Sequence, residues 1–305
     1  MSEPRRHHLV PQMHLKRFAD HKRRIIMVSR DQKKRVSTDI KKACVQTDYY
    51  AVETNNGRMQ DVEGLLSVIE SNAAAAIENI LSGKFPPSPT DREAIALFIG
   101  FQCVRGDETL QGYGQVVDVL TKKIISNATR EEIIETFHRR EGREPTEEEI
   151  AARKLIFKNV NNFTITPHQN RRINVMLKLA PELADIMLKR RWFLSDHGDP
   201  CLLTSDTPVV MWSKPTPPTF FSGRGWATAD EVQMPLSPRF SLCLSWENEL
   251  KEQVFRLGSK IGPELGAKLN ELVAYKARRW IFHHPDTDPL KGVELLPSEP
   301  VFYFR

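Results

Sequence analysis

Only four of the 305 residues are cysteine, and Cys44, Cys103, Cys201 and Cys243 stand far apart with no C-x-x-C pair. That spacing offers neither a disulfide framework nor a zinc site, and it reads as reduced thiols in a cytoplasmic protein. Long apolar runs are also missing. The longest, residues 94–104, is about half of the ~20 residues needed to cross a bilayer, so no membrane partner is expected. The opening Met-Ser-Glu-Pro-Arg-Arg-His-His leads into no apolar stretch of the kind a secretory signal requires. There is no G-x-G-x-x-G, no Walker A loop, no G-x-S-x-G elbow and no H-E-x-x-H. Neither a cofactor nor a metal is therefore expected.

What is present is an ordinary soluble balance, 40% apolar and 27% charged, in a chain long enough to bury a real core. The most informative stretch is Ala94-Ile-Ala-Leu-Phe-Ile-Gly-Phe-Gln-Cys-Val-Arg105. It is apolar all round at helical spacing, which is the pattern of a buried helix. Gln102 and Arg105 interrupt it on the face of Ile95 and Phe98. A buried arginine must be paired or hold an anion, and Glu70 and Asp206 are the expected protein partners. Thr90-Asp-Arg-Glu93 has the form of a capping box opening this helix, which is expected to run to about Ser126.

Around it, residues 59–82 carry apolar positions at the helical period, with Gly83 as the stop. Thr129–Glu132, Thr146–Glu149 and Thr166–Gln169 are three more capping boxes. Residues 139–152 resemble a helical linker of bacterial sigma factors, but a Pro-Thr pair that ends a loop and caps a helix accounts for the likeness. A solvent-exposed helical hairpin is expected there. After Arg191 the period becomes extended. Residues 191–195 and 201–204 flank His197-Gly-Asp-Pro200 as an expected hairpin. Residues 208–212, 231–235, 240–246 and 279–282 are further strands, with 24–29 and 301–304 joining from the two ends. The predicted fold is α+β in a single domain, 1–305. A mainly helical part, 1–190, packs with an antiparallel sheet from 191–305.

Charge is distributed unevenly. Residues 1–42 hold thirteen Lys/Arg against four Asp/Glu, a local +9 within a net +5, so the rest of the chain is −4. A basic segment on a mildly acidic body points to a nucleic acid or other polyanion as partner.

Four short motifs, in this order, resemble one known family. They are His8-x-x-Pro11-x-x-x-Leu15-x-x-Phe18, Phe98-Ile-x-x-Gln102-x-x-Arg105, Thr204-Ser-Asp-x-Pro208 and Pro235-Leu-Ser-Pro238. Together they are similar to the domain of unknown function 4238 family. The resemblance spans nearly the whole chain and implies no activity. Two functions from different classes stay open. One is a bacterial-type cytosolic hydrolase acting on a nucleic acid or other phosphate-containing substrate. In it Gln102 and Arg105 bind the anion, and His8, His168, Arg105 and Asp206 form the catalytic set. The other is a non-catalytic nucleic-acid or protein binding module, with a structural buried cluster of Arg105, Asp206 and Gln102.

Overall fold

The computed structural model describes residues 6–8, 10–47, 52–54, 57–59, 61–215 and 225–295. The chain opens with β1 (Arg6–His8), the single turn α1 (Gln12–Leu15), the strands β2 (Arg24–Ser29), β3 (Arg35–Asp39) and β4 (Val45–Thr47), and the small hairpin β5 (Val52–Thr54) and β6 (Gly57–Met59). Six helices follow: α2 (Asp61–Leu81), α3 (Pro89–Val104), α4 (Asp107–Ser126), α5 (Arg130–Glu141), α6 (Glu147–Lys158) and α7 (Gln169–Leu188). Then come β7 (Arg191–Asp196), β8 (Thr204–Ser205), β9 (Val210–Trp212), β10 (Glu231–Pro235), β11 (Phe240–Ser245), β12 (Gln253–Arg256), helix α8 (Gly258–Lys276) and β13 (Trp280–His283). The protein is α+β, with helices mainly in the first two-thirds and strands mainly in the last third. None of the described helices is long and apolar enough to cross a membrane.

The strands form two larger sheets rather than one. The first has the order β12-β7-β11-β10-β9, antiparallel except for β12 beside β7. The second, β3-β2-β13-β8, joins two N-terminal strands to two C-terminal ones. The strand at 24–29 thus joins a sheet as expected; the one at 301–304 lies outside the described residues. The expected hairpin of 191–195 with 201–204 does not form. β7 pairs with β11 and β12, and the chain after Gly198 crosses to the second sheet. The Cys201 and Leu202 amides donate instead to the Pro238 carbonyl, and the Leu203 amide to Asn270 Oδ1, so none of them pairs with β7.

Side-chain alternation along the five-stranded sheet sorts it into two faces. Trp192, Leu194, Val232, Met234, Leu242 and Leu244 turn toward α2, α3 and α7 and complete the main core. The residues between them face α8 across an open cleft. α8 packs its other side, with Val273 and Ala274, against Val28, Ile281 and Leu203. The N-terminal segment covers the second sheet through Val10, Leu15 and Phe18, together with Ile25 and Phe282. α5 and α6 form the expected helical hairpin, with a small satellite cluster of Ile133, Phe137 and Ile150.

Three local expectations are corrected. α3 is capped by Ser88, whose Oγ accepts from the Asp91 amide at 3.1 Å, with Pro89 in the first turn. Thr90 and Glu93 therefore lie inside the helix and form no box. The helix also ends at Val104 instead of running to Ser126, because Gly106 is extended and starts α4. At α7 the cap is His168, not Thr166. The boxes at Thr129 and Thr146 form fully.

The tightest helix crossing is α3 on α7. A Cβ at Gly100 would sit 2.2 Å from the Ala180 carbonyl oxygen, so only glycine admits this approach. Gly100→Ala should lower the unfolding free energy by roughly 1–3 kcal/mol through overpacking. Gly64→Ala, in an open position on α2, should raise it by about 0.5–1 kcal/mol. Urea denaturation of the two variants measures both.

Candidate functional site

The first motif builds a compact corner. The Pro11 carbonyl accepts from the His14 and Leu15 amides, starting the turn that sends Leu15 and Phe18 inward. His8 contacts the Ala43 carbonyl through Nδ1 at 3.2 Å and the Gln12 side-chain amide through Nε2 at 3.0 Å. A carbonyl only accepts, so Nδ1 carries the proton and Nε2 receives the Gln12 N–H. His14 is fully buried, with Nε2 on Thr204 Oγ1 at 2.9 Å. Its Nδ1 has no partner among the described residues. Burial, and then the nearby Arg17 charge, lower its pKa to about 3.

Arg105 sits at the C-terminal end of α3 and is 3% exposed. One guanidinium nitrogen donates to Glu70 Oε1 at 2.7 Å, and the other to the His8 carbonyl at 2.6 Å. The expected burial and acidic partner are both present, and the partner is Glu70. Gln102 is buried one turn earlier, yet its Nε2 makes no hydrogen bond among the described residues. The expectation that it bonds within the Arg105 cluster is not met for that nitrogen.

Asp206 has a different task. Its carboxylate accepts from three successive amides, Arg278, Arg279 and Trp280, at 2.7–3.1 Å. It holds the turn between α8 and β13, a role that suits a short carboxylate before Pro208. The fields of Asp206 and Arg105 both reach Cys44, whose thiol is pushed far up by burial. His168 lies apart from this group. It is exposed and caps α7, with Nδ1 accepting from the Asn170 amide at 3.3 Å.

Beside the Arg105–Glu70 pair lies a pocket of about 320 Å³. Its walls include His8 and Gln12 from the N-terminal segment, Glu63, Ser67 and Glu70 from α2, and Arg105. His8 and Arg105 are thus brought together, whereas Asp206 and His168 do not line the pocket. Two carboxylates against one guanidinium give the walls an acidic balance. Among the described residues no group of three or more His, Cys, Asp or Glu is placed to hold a metal. The His283–Asp288 stretch is a turn in which Arg35 bonds both His283 and Asp288.

The four sequence motifs meet as joints of one framework. His14 ties the first to the third through Thr204, and Arg105 ties the second to the first through the His8 carbonyl. In the fourth, the Pro238 carbonyl accepts from the Cys201 and Leu202 amides and steers that run toward β8. The sequence did not disclose Arg190, 1% exposed, whose guanidinium donates to the carbonyls of Trp226, Ala229, Asp230 and Leu244. Nor did it disclose His197. The Gly262 carbonyl, 2.8 Å away, fixes the proton on its Nδ1, so Nε2 accepts from Ser241 Oγ at 3.0 Å. Arg190 closes the helical pattern and looks like a C-terminal surface charge; His197 sits in what reads as a turn.

Two outcomes test this assignment. Glu70→Ala leaves a buried guanidinium without this carboxylate and should cost about 3–5 kcal/mol of stability. Glu70→Ala with Arg105→Met should recover most of that loss. Near-wild-type stability of the single variant would contradict a structural pair. For His14, the unfolded chain protonates near 6.5 and the folded chain only near 3. Stability is complete above about pH 6.5 and falls as pH drops toward 3, with a slope approaching about 1.4 kcal/mol per pH unit from this group. The pH dependence of unfolding in His14→Asn should be shallower by that amount.

Comparison with known proteins bears on the same motifs. A family model described as a protein of unknown function (DUF4238) matches residues 6–287. No curated protein and no solved structure matches the chain. The match takes in all four motif stretches and nearly every described element, and the chain belongs to the DUF4238 family.

Proposed function

We propose that the protein is a non-catalytic binding module that docks a polyanion, a nucleic acid, on the basic face of the β2–β3 region. The observation that carries this reading is the exposure of seven cations at residues 22–24, 33–34 and 41–42. Asp20, Asp31 and Asp39 lie among them and keep their charge, Asp31 at 3.9 Å from Lys33 Nζ, so the patch is a net +4, seven cations less three carboxylates. Asp20 accepts from the Lys22 and Arg24 amides, Asp31 from Ser29 and the Lys33 amide, and Asp39 from the Lys41 amide. β3 is an edge strand, and Lys33, Lys34, Lys41 and Lys42, which flank it, also disfavour its pairing with other chains. The buried polar cluster supports the same reading, since the chain's own groups satisfy Arg105 and Asp206.

A second reading, hydrolysis of a phosphate-containing substrate, draws on the small pocket alone. Its lining offers an imidazole from His8, a cation from Arg105 and carboxylates from Glu63 and Glu70. Those carboxylates oppose a bound phosphate, and Arg105 already serves Glu70. The binding reading is therefore the stronger.

Fluorescence anisotropy with labelled single- and double-stranded oligonucleotides tests it. Affinity should fall steeply between low and physiological salt, because bound phosphates release counterions. Replacing Lys33, Lys34 and Lys41 with Glu should weaken binding at low salt at least tenfold and flatten the salt slope. Absence of binding at low salt would defeat the proposal. Turnover of generic phosphodiesters, lost in Arg105→Ala at unchanged thermal midpoint, would establish the second reading instead.

A further inference from the structure

The outer face of the five-stranded sheet and the facing side of α8 enclose a second cleft, of about 1140 Å³. That is room for a drug-sized ligand. We propose that this cleft binds a small organic cation, an amine or quaternary ammonium group carried on an apolar body. The proposal is independent of the basic surface and goes beyond polyanion binding.

The apolar part of the ligand has a matching floor and wall. Phe193 and Phe255 lie side by side on β7 and β12, ring centroids 5.5 Å apart. Leu269 and Leu272 face them from α8, and Trp212 borders the cleft on β9. Between these, β11 presents only Ser241, Cys243 and Ser245, small side chains that leave the space open.

The sign of the ligand follows from the charged lining. Asp230, Glu231, Glu247, Glu271 and Glu294 line the cleft. Against them stand Lys214 and Lys268, and Lys268 is bonded to Glu264 at 3.1 Å. His197, at the floor, adds no charge, since burial holds its pKa down and both ring nitrogens are engaged. Arg190 lies against the Trp246 ring at 4.3 Å and adds a third positive charge beside the cleft, which leaves five carboxylates against three cations. An anion entering this space meets net repulsion, and a cation net attraction.

One pair places the cationic group. Glu231 on β10 stands directly opposite Trp212 on β9, and both line the cleft. The Gln233 amide donates to Glu231 Oε2 at 2.5 Å and holds the carboxylate in position. A fixed carboxylate beside an indole is the pairing that holds an ammonium group, by charge and by the ring quadrupole.

Calorimetric titration of the full chain with three probes of equal chain length tests this. The probes are octyltrimethylammonium, octyl sulfate and octyl glucoside, each below its micellar range. The ammonium probe should bind at least roughly tenfold tighter than the other two. Glu231→Gln, checked for an unchanged thermal midpoint, should reduce that affinity to about that of the glucoside and leave glucoside binding as it was. Leu272→Asp, which adds negative charge but removes apolar wall, should weaken glucoside binding. Equal affinity for all three probes, tighter binding of the sulfate, or no binding of any probe overturns the proposal. So does an ammonium affinity that Glu231→Gln leaves intact. Binding of a leucine- and lysine-rich peptide in the absence of binding by the small probes would assign the cleft to a protein partner and overturn it. Salt-sensitive self-association in sedimentation velocity that Glu231→Gln abolishes would assign it to a second copy, with the same consequence.

Discussion

A guanidinium does not lose its proton at any pH a folded protein meets, so each arginine drawn inside dictates what surrounds it. Arg105 collects Glu70 and the last carbonyl of β1. Arg190 collects four backbone carbonyls from the β9–β10 connection and β11. Arg92 forms a two-pronged pair with Glu252, at 2.8 Å on each prong, and donates also to the Arg190 carbonyl. Arg30 reaches the Tyr275 and Ala277 carbonyls at the end of α8, where a helix leaves acceptors unpaired and its dipole favours a cation. In each case one side chain fastens two or three segments distant in sequence. The packing of helices on sheets depends on these charges being answered.

The four sequence motifs take their place within this arrangement. They fix where the N-terminal segment crosses the second sheet, how α3 ends, and how residues 201–206 enter their strand. Most of their polar atoms are spent on the chain itself. The surfaces proposed to meet another molecule lie elsewhere, on the exposed cations around β2 and β3 and on the outer face of the five-stranded sheet. Their opposite signs suit different ligands.

The sequence made visible what depends on periodicity and on the cost of burial. The change near residue 191, helix α2, strands β2, β10 and β11, and the pairing of Arg105 with an acid all follow from such local arguments. It was less informative where two signals competed. Ser88-Pro89 outbids Thr90 as a start because proline sits well in a first turn without its missing donor. The apolar pattern continues past Gly106, so nothing in the period marks the break between α3 and α4. The cleft was not legible because its floor alternates with buried leucines, as any half-exposed strand does. Ser241, Cys243 and Ser245 look like ordinary surface until α8 is placed across from them.

Strand β2 pairs with β13, so its neighbour on one side lies some 250 residues further along the chain. At a synthesis rate of about 5–20 residues per second, the partner emerges roughly 10–50 s after β2. Until then the edge of β2 that β13 covers lacks that partner, and an unpaired strand edge can recruit strands from other chains. The lysines and arginines of residues 22–42 repel such neighbours while the ribosome finishes. Neutralising the charge of this segment should therefore be felt in the yield of soluble protein before any ligand is added.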